Sequence, residues 1–189
     1  MLNTASDILQ RHRLTVAEYY RMAETGILAP EARVELIEGE VIDMPPIGSP
    51  HAGTVDYMAD VLRSACGGQA IVRTQNPVFL DLHSEPQPDI ALLRPRADFY
   101  RSSHPTPADV FLIVEVADAT LAYDTQIKLP LYARHGVPEV WLVDLSNRRF
   151  MVHRTPTAVG FQDVQTLTEL STVTPMLLPG VSIDLTGLF

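Results

Sequence analysis

The chain is short of cysteine, of positive charge and of long apolar runs, and each shortage removes a class of protein. One cysteine, Cys66, stands among 189 residues, so no disulfide forms within the chain and no cysteine-rich zinc site can be built. Cys66 precedes Gly67-Gly68 at an expected helix end and reads as a buried structural thiol. No apolar run approaches the ~20 residues that span a bilayer, so no membrane partner is expected. Met1 to Arg13 is mixed polar and lacks the apolar core of a signal peptide, which makes the expected address cytoplasmic. Lys and Arg number 14 against 23 Asp and Glu, a formal net charge of −9. That balance counts against strong non-specific binding to nucleic acid, which depends on Lys and Arg neutralising phosphates. Phosphate-binding loops and dinucleotide fingerprints are missing, and neither Ser49 nor Ser171 sits in a glycine-flanked nucleophile elbow.

What is there is ordinary for a globular protein: 46% apolar and 20% charged residues. The length suits one domain over 1–189, with a core at about 14–167 and a C-terminal tail packed on it. A helix is expected from Thr15 to Thr25, since Thr15 and Glu18 have capping-box spacing and Gly26 follows the end. Arg33–Ile37 and Glu40–Met44 read as strands about a Glu38-Gly39 turn. Apolar residues at Val55, Met58, Ala59 and Leu62 give helical spacing from His51 to Ala65. Strands are expected at Ala70–Arg73, Pro77–Leu82, Asp89–Leu93, Val110–Val116 and Glu139–Asp144. Val110–Val116 is the most apolar run and reads as a central strand covered on both faces. A helix from Asp124, its N-cap, to His135 carries Pro130, which predicts a kink or a late start. Strand, helix and strand then suggest a parallel crossover. Arg149–Phe161 and Val164–Leu167 read as a terminal hairpin, and the tail through Pro179-Gly180 as irregular.

Acidic residues interrupt the apolar strands. Asp89 opens Asp-Ile-Ala-Leu-Leu, Glu115 sits inside Leu-Ile-Val-Glu-Val, and Glu35 interrupts the first strand. A buried carboxylate is costly unless it is paired or binds a metal. Two carboxylates at neighbouring strand ends, with the Val116 carbonyl as a third oxygen, suit Mg²⁺. Such an ion polarises a phosphate and acidifies water. Lys128, thirteen residues after Glu115, has the charge to orient that water and steady the phosphoryl oxygens. The same residues also describe a half-buried Glu115–Lys128 ion pair with no catalytic duty.

Pro88-Asp89-Ile-Ala, Ile-Val-Glu115-Val, and the run from Lys128 through Leu-Pro-Leu-Tyr-Ala-Arg-His-Gly-Val-Pro-Glu-Val-Trp-Leu-Val to Asp144 resemble the Uma-two family of restriction-endonuclease-like nucleases. Glu35-Leu-Ile-Glu-Gly-Glu and Ser49-Pro-His51 match as well, and the resemblance covers about Leu14 to Leu167. It implies an α/β restriction-endonuclease-like fold of the PD-(D/E)XK superfamily, a central mixed β-sheet flanked by helices. It further implies that Asp89 and Glu115 bind Mg²⁺ or Mn²⁺ and that Glu35 supports the site. In the superfamily's usual motif the lysine stands two residues after the acid. Here that position is Ala117, and the resemblance moves the lysine to Lys128 on the following helix.

Around this set, His51 at a helix start and Gln75 before a strand are candidate substrate contacts. Asp118 is a candidate outer partner of the metal, whereas Tyr132 and Trp141 read as core. Arg94, Arg96 and Arg101 in one loop, with Arg134, Arg148, Arg149 and Arg154, offer the basic surface. His12, His83, His104, His135 and His153 read as surface or structural. Three functions follow: a metal-dependent endonuclease acting on nucleic acid, DNA first, with a two-fold homodimer suited to cutting two strands; a catalytically inactive binding or regulatory module that retains the fold; and, as a weaker option, hydrolysis of a smaller phosphodiester. The net charge favours the second.

Overall fold

The computed structural model describes residues 11–189; the first ten residues of the Met1 to Arg13 segment lie outside the described residues. The chain falls into two compact units. The smaller comprises residues up to Pro45 together with Asp81–Glu85, and the larger comprises Pro46–Leu80 and Pro86–Phe189.

In the smaller unit α1 (Val16–Glu24) starts at the expected capping box. The Glu18 amide donates to Thr15 Oγ1, and the Thr15 amide donates back to the Glu18 carboxylate at 2.8 Å. Strands β1 (Val34–Ile37) and β2 (Glu40–Asp43) form an antiparallel hairpin. Its two turn residues, Glu38 and Gly39, both have positive φ, +50° and +82°. Gly39 is required twice over, since a Cβ there would lie 2.6 Å from Arg13 Cβ.

The larger unit is built on a six-stranded mixed sheet in the order β3-β4-β5-β6-β7-β8. The strands are β3 (Ile71–Thr74), β4 (Ile90–Leu93), β5 (Val110–Ala117), β6 (Glu139–Asp144), β7 (Arg149–Thr157) and β8 (Gly160–Leu167). Strands β5 and β6 are parallel and the other neighbours antiparallel, so the crossover is where it was expected. All residues of β5 and β6 are buried, as a two-sided central pair requires. Helix α2 (Ser49–Cys66) lays Val55, Met58, Ala59, Leu62 and Cys66 on one sheet face, against Leu112, Val114, Trp141 and Phe150. Truncating Leu62, fully buried there, costs about 2–5 kcal/mol. Gly67 ends α2 in the left-handed region at φ +51°.

Four expectations are corrected. Pro77–Leu82 forms no strand. Gln75 turns left-handed at φ +51°, Pro77 has no amide to donate, and Val78 and Phe79 donate instead to the carbonyls of Pro86 and Pro105. The helical segment after β5 begins earlier than Asp124. It runs as α3 (Leu121–Tyr123), a π-helical turn (Asp124–Lys128) and α4 (Leu129–Arg134). Pro130 lacks an amide and crowds the preceding turn, so the ladder widens and the Leu129 amide bonds the Asp124 carbonyl. Asp124 is therefore a buried residue of the π-turn and not an N-cap, a position held by Thr120. The hairpin turns at Ala158-Val159, leaving Gln162 and Asp163 inside β8. The tail is not irregular throughout: β9 (Thr172–Val173) pairs with β10 (Ile183–Asp184), while Leu178, Val181, Leu185 and Leu188 join the core under α2. No helix among the described residues is long and apolar enough to cross a membrane.

Candidate active site

Alternation along β5 turns Val114 and Val116 toward α2 and sends Glu115 to the opposite face. There the π-turn and α4 cover it. Lys128 Nζ lies 3.0 Å from Glu115 Oε1, and the Tyr132 hydroxyl donates to the same oxygen at 2.6 Å. Lys128 and Tyr132 are four residues apart, so the first turn of α4 aims both at one carboxylate oxygen. The pair is buried, with side-chain exposures of 7% for Lys128 and 3% for Glu115. Lys128 is also the only lysine among the 189 residues; every other side-chain cation of that class is arginine.

Asp89 lies just before β4, where the β4–β5 ladder has ended at Ile90 and Val114. The freed Val116 amide donates to Asp89 Oδ2 at 2.9 Å, and the Asp89 amide reaches Glu115 Oε2 at 3.3 Å. In an extended strand a residue's N–H and C=O leave by the same edge, so the Val116 carbonyl faces the Asp89 side. His51, in the first turn of α2, sets Nε2 3.2 Å from Asp89 Oδ2. It is neither a cap nor a surface residue: the N-cap is Gly48, and the His51 side chain is 16% exposed.

Each carboxylate thus has its own nitrogen partner, the Lys128 ammonium for Glu115 and the His51 ring for Asp89. Burial pushes the Glu115 carboxyl up to about 8; the Lys128 ammonium opposes that, while the Asp89 and Asp124 charges add to it. His51 is raised above its ordinary value by its hydrogen bond to Asp89 against the pull of burial, with help from the charges of Asp89, Asp118 and Asp124. Asp118 is exposed, and Asp124 accepts from the Thr120 hydroxyl at 2.7 Å.

The structure brings together Asp89, Glu115, Val116, Lys128 and His51. Gln75 joins them through its backbone, since its amide donates to the Asp89 carbonyl at 2.9 Å while its side chain is exposed. Glu35 belongs to the smaller unit, where it is buried in β1 opposite Ile42. The sequence pattern predicts Tyr132 as core alone. Its ring is core, and its hydroxyl serves Glu115; the signal was a buried tyrosine four residues after Lys128, because buried Tyr hydroxyls need partners. Of the later arginines, Arg149 pairs with Asp144 and Arg154 with Glu139, so neither offers an unpaired charge to a basic groove.

The donor set suits a hard divalent cation. Protein groups occupy Glu115 Oε1 and Asp89 Oδ2, which leaves Asp89 Oδ1 and the weakly engaged Glu115 Oε2 to face a ligand. Among the described residues no three His, Cys, Asp or Glu side chains gather as a ready ligand group, so backbone oxygen, water or substrate would complete the shell.

A family model described as "Uma2: Putative restriction endonuclease" matches residues 16–186. The chain belongs to the Uma2 family. Among solved structures, this Uma2 chain is similar to a "putative nuclease belonging to DUF820" from Anabaena variabilis, with a TM-score of 0.68 and 19% identity over 93% of this chain and 97% of that one. At that identity the likeness establishes the fold alone, a mixed sheet with flanking helices. No curated protein matches.

Proposed function

We propose that this chain is a metal-dependent endonuclease that hydrolyses phosphodiester bonds in DNA. The observation that carries the reading is the Glu115–Lys128 pair at 3.0 Å beside Asp89, built from three separate elements in a nuclease-family fold. Asp89, Glu115 and the Val116 carbonyl would hold Mg²⁺ or Mn²⁺. Such an ion, when bound, polarises the scissile phosphate and makes a nearby water more acidic. Lys128 places a compact positive charge where the attacking water and the phosphoryl oxygens need one. Tyr132 fixes the Glu115 rotamer and keeps Oε1 on the Lys128 side. His51 holds Asp89 Oδ2, which leaves Oδ1 for the cation. A two-fold homodimer would pair two such sites for cutting both strands, and sedimentation of the full chain tests it.

The net charge of −9 favours a second reading, an inactive binding or regulatory module with the same acidic pocket. Calorimetry with Mg²⁺ and Mn²⁺, followed by cleavage assays on plasmid and oligonucleotide DNA, separates the two. The nuclease reading expects binding that disappears in Glu115→Ala and metal-dependent cleavage that disappears in Asp89→Asn. Metal binding without cleavage of any nucleic acid would leave the second reading in place.

A further inference from the structure

The loop after β4 carries two consecutive bulky residues in the left-handed region, Phe99 at φ +53° and Tyr100 at φ +59°. Left-handed backbone at a non-glycine aromatic is unfavourable, and two in a row persist only where the surroundings impose them. They are imposed here. Asp98 accepts from Arg96, from the Tyr100 amide and from the Ser102 hydroxyl. Tyr100 is buried, its hydroxyl donates to the Arg94 carbonyl at 2.8 Å, and the Arg96 guanidinium stacks over its ring at 4.2 Å. This bracing drives Phe99 the other way, into solvent, where it is 63% exposed. Simple burial would have hidden the apolar ring and exposed the hydroxyl-bearing one.

Phe99 projects beside a cleft of about 630 Å³ lined by Arg63, Ile71, Val72, Pro95 and Arg96, with no carboxylate in its lining. Asp98 pairs with Arg96, and the Asp109 charge also reaches Arg96, so the positive charge left for a ligand is that of Arg63, exposed in the last turn of α2, with Arg101 exposed in the same loop. In a chain of net charge −9, an apolar floor with an outward aromatic and free arginine charge is a local reversal of sign. That combination fits a nucleic-acid strand: a π-face for an unpaired base and cations for its phosphates.

We infer that this cleft is a second nucleic-acid contact, in which Phe99 stacks an unpaired base of single-stranded nucleic acid and Arg63 pairs with the adjacent phosphate. Arg63 is twelve residues along α2 from His51, about 18 Å at 1.5 Å per residue. That spacing sets the cleft apart from the acid cluster. The inference rests on the nuclease reading for the class of partner and on nothing else in that site.

The test is fluorescence anisotropy of the full chain with a labelled single-stranded 20-mer at low salt in EDTA, which silences cleavage. Phe99→Ala is expected to weaken binding about tenfold or more, and Phe99→Trp to keep it. Arg63→Gln is expected to weaken it and to lower the salt dependence. Phe99 is exposed, so these variants fold, and an unchanged melting curve verifies that. Equal binding by the parent and Phe99→Ala overturns the inference, as does no binding of the strand by the parent, which would make the cleft a protein-docking surface. Phe99-dependent binding in a chain that takes up no divalent metal would uphold the cleft and sink the nuclease reading alone. Metal-dependent cleavage with Phe99-independent binding would do the reverse.

Discussion

Two glutamates on neighbouring strands show how differently one sheet can treat the same side chain. Glu139 on β6 and Glu115 on β5 are both buried in the larger unit. Glu139 is closed off. Its Oε1 accepts from Trp141 Nε1 and from both Arg154 Nε and Nη2, and its Oε2 accepts from the Met176 amide at 2.6 Å. Glu115 is firmly held at one oxygen and only lightly at the other. Lys128 and Tyr132 share Oε1, whereas Oε2 has only a 3.3 Å amide and the Asp89 carboxylate nearby. Burial of an acid is therefore no sign of function by itself. What distinguishes Glu115 is an oxygen held by one long amide hydrogen bond beside a second carboxylate, an arrangement that stability alone would not keep.

The sharpest way to break the comparison is at the open site. Asp89→Asn and Lys128→Ala should each lower cleavage at least about a thousandfold, near 4 kcal/mol; Lys128→Ala should also lower the urea midpoint, because it leaves the buried Glu115 without its ammonium, so Asp89→Asn is the cleaner variant. Lys128→Arg should not restore it, because a planar guanidinium cannot replace a compact ammonium in a buried slot. Next in size is the closed site. Glu139→Gln should cost about 3–5 kcal/mol in urea unfolding by stranding Arg154, while Glu115→Gln should cost clearly less, because burial already pushes the Glu115 carboxyl up to about 8 and a neutral amide spares that desolvation. Equal losses at both positions would erase the distinction. Smaller again is Tyr132→Phe, which should weaken Mg²⁺ binding roughly tenfold, about 1.4 kcal/mol, by calorimetry, with the Lys128 pair intact.

The smallest effect comes from a buried group that has no ionic partner to set against either glutamate. His153 on β7 is held below its ordinary value of 6.5 by burial, and its Nε2 has no hydrogen bond. The fold prefers the neutral ring, so the unfolded chain takes up the proton first. Stability should then fall as pH drops below about 6.5 and level off once the folded ring is protonated too. Replacing it by His153→Phe should flatten that slope in unfolding curves between pH 7 and 5.

Much of this was legible in the chain because strong local patterns agree with the fold. The apolar run around Glu115, the Thr15–Glu18 box and the helical spacing through Leu62 all form as expected. Asp89, Glu115 and Lys128 stood out because charge inside apolar periodicity needs a partner. Other features depend on tertiary geometry. Tyr132 reads as core since a buried phenol and a buried phenyl share one pattern. The π-turn follows from Pro130 only once α4 has docked, and Asp124 looks like a cap until that turn swings it inward. Pro77–Leu82 alternates like a strand, yet its amides are claimed by Pro86 and Pro105 carbonyls. His51 needed Asp89 in space, thirty-eight residues away, to be more than a helix-start histidine.

The solitary lysine has a practical side. Thirteen arginines and one lysine mean that the amine at the heart of the cluster can be observed with no other lysine signal in the way. Growth on isotope-enriched lysine would yield a single side-chain ammonium resonance, already sited 3.0 Å from Glu115. Metal uptake, oligonucleotide binding and loss of the Tyr132 hydroxyl would each move that one peak. The molecule thus carries its own spectroscopic probe, at the place where a reporter is most useful and hardest to engineer.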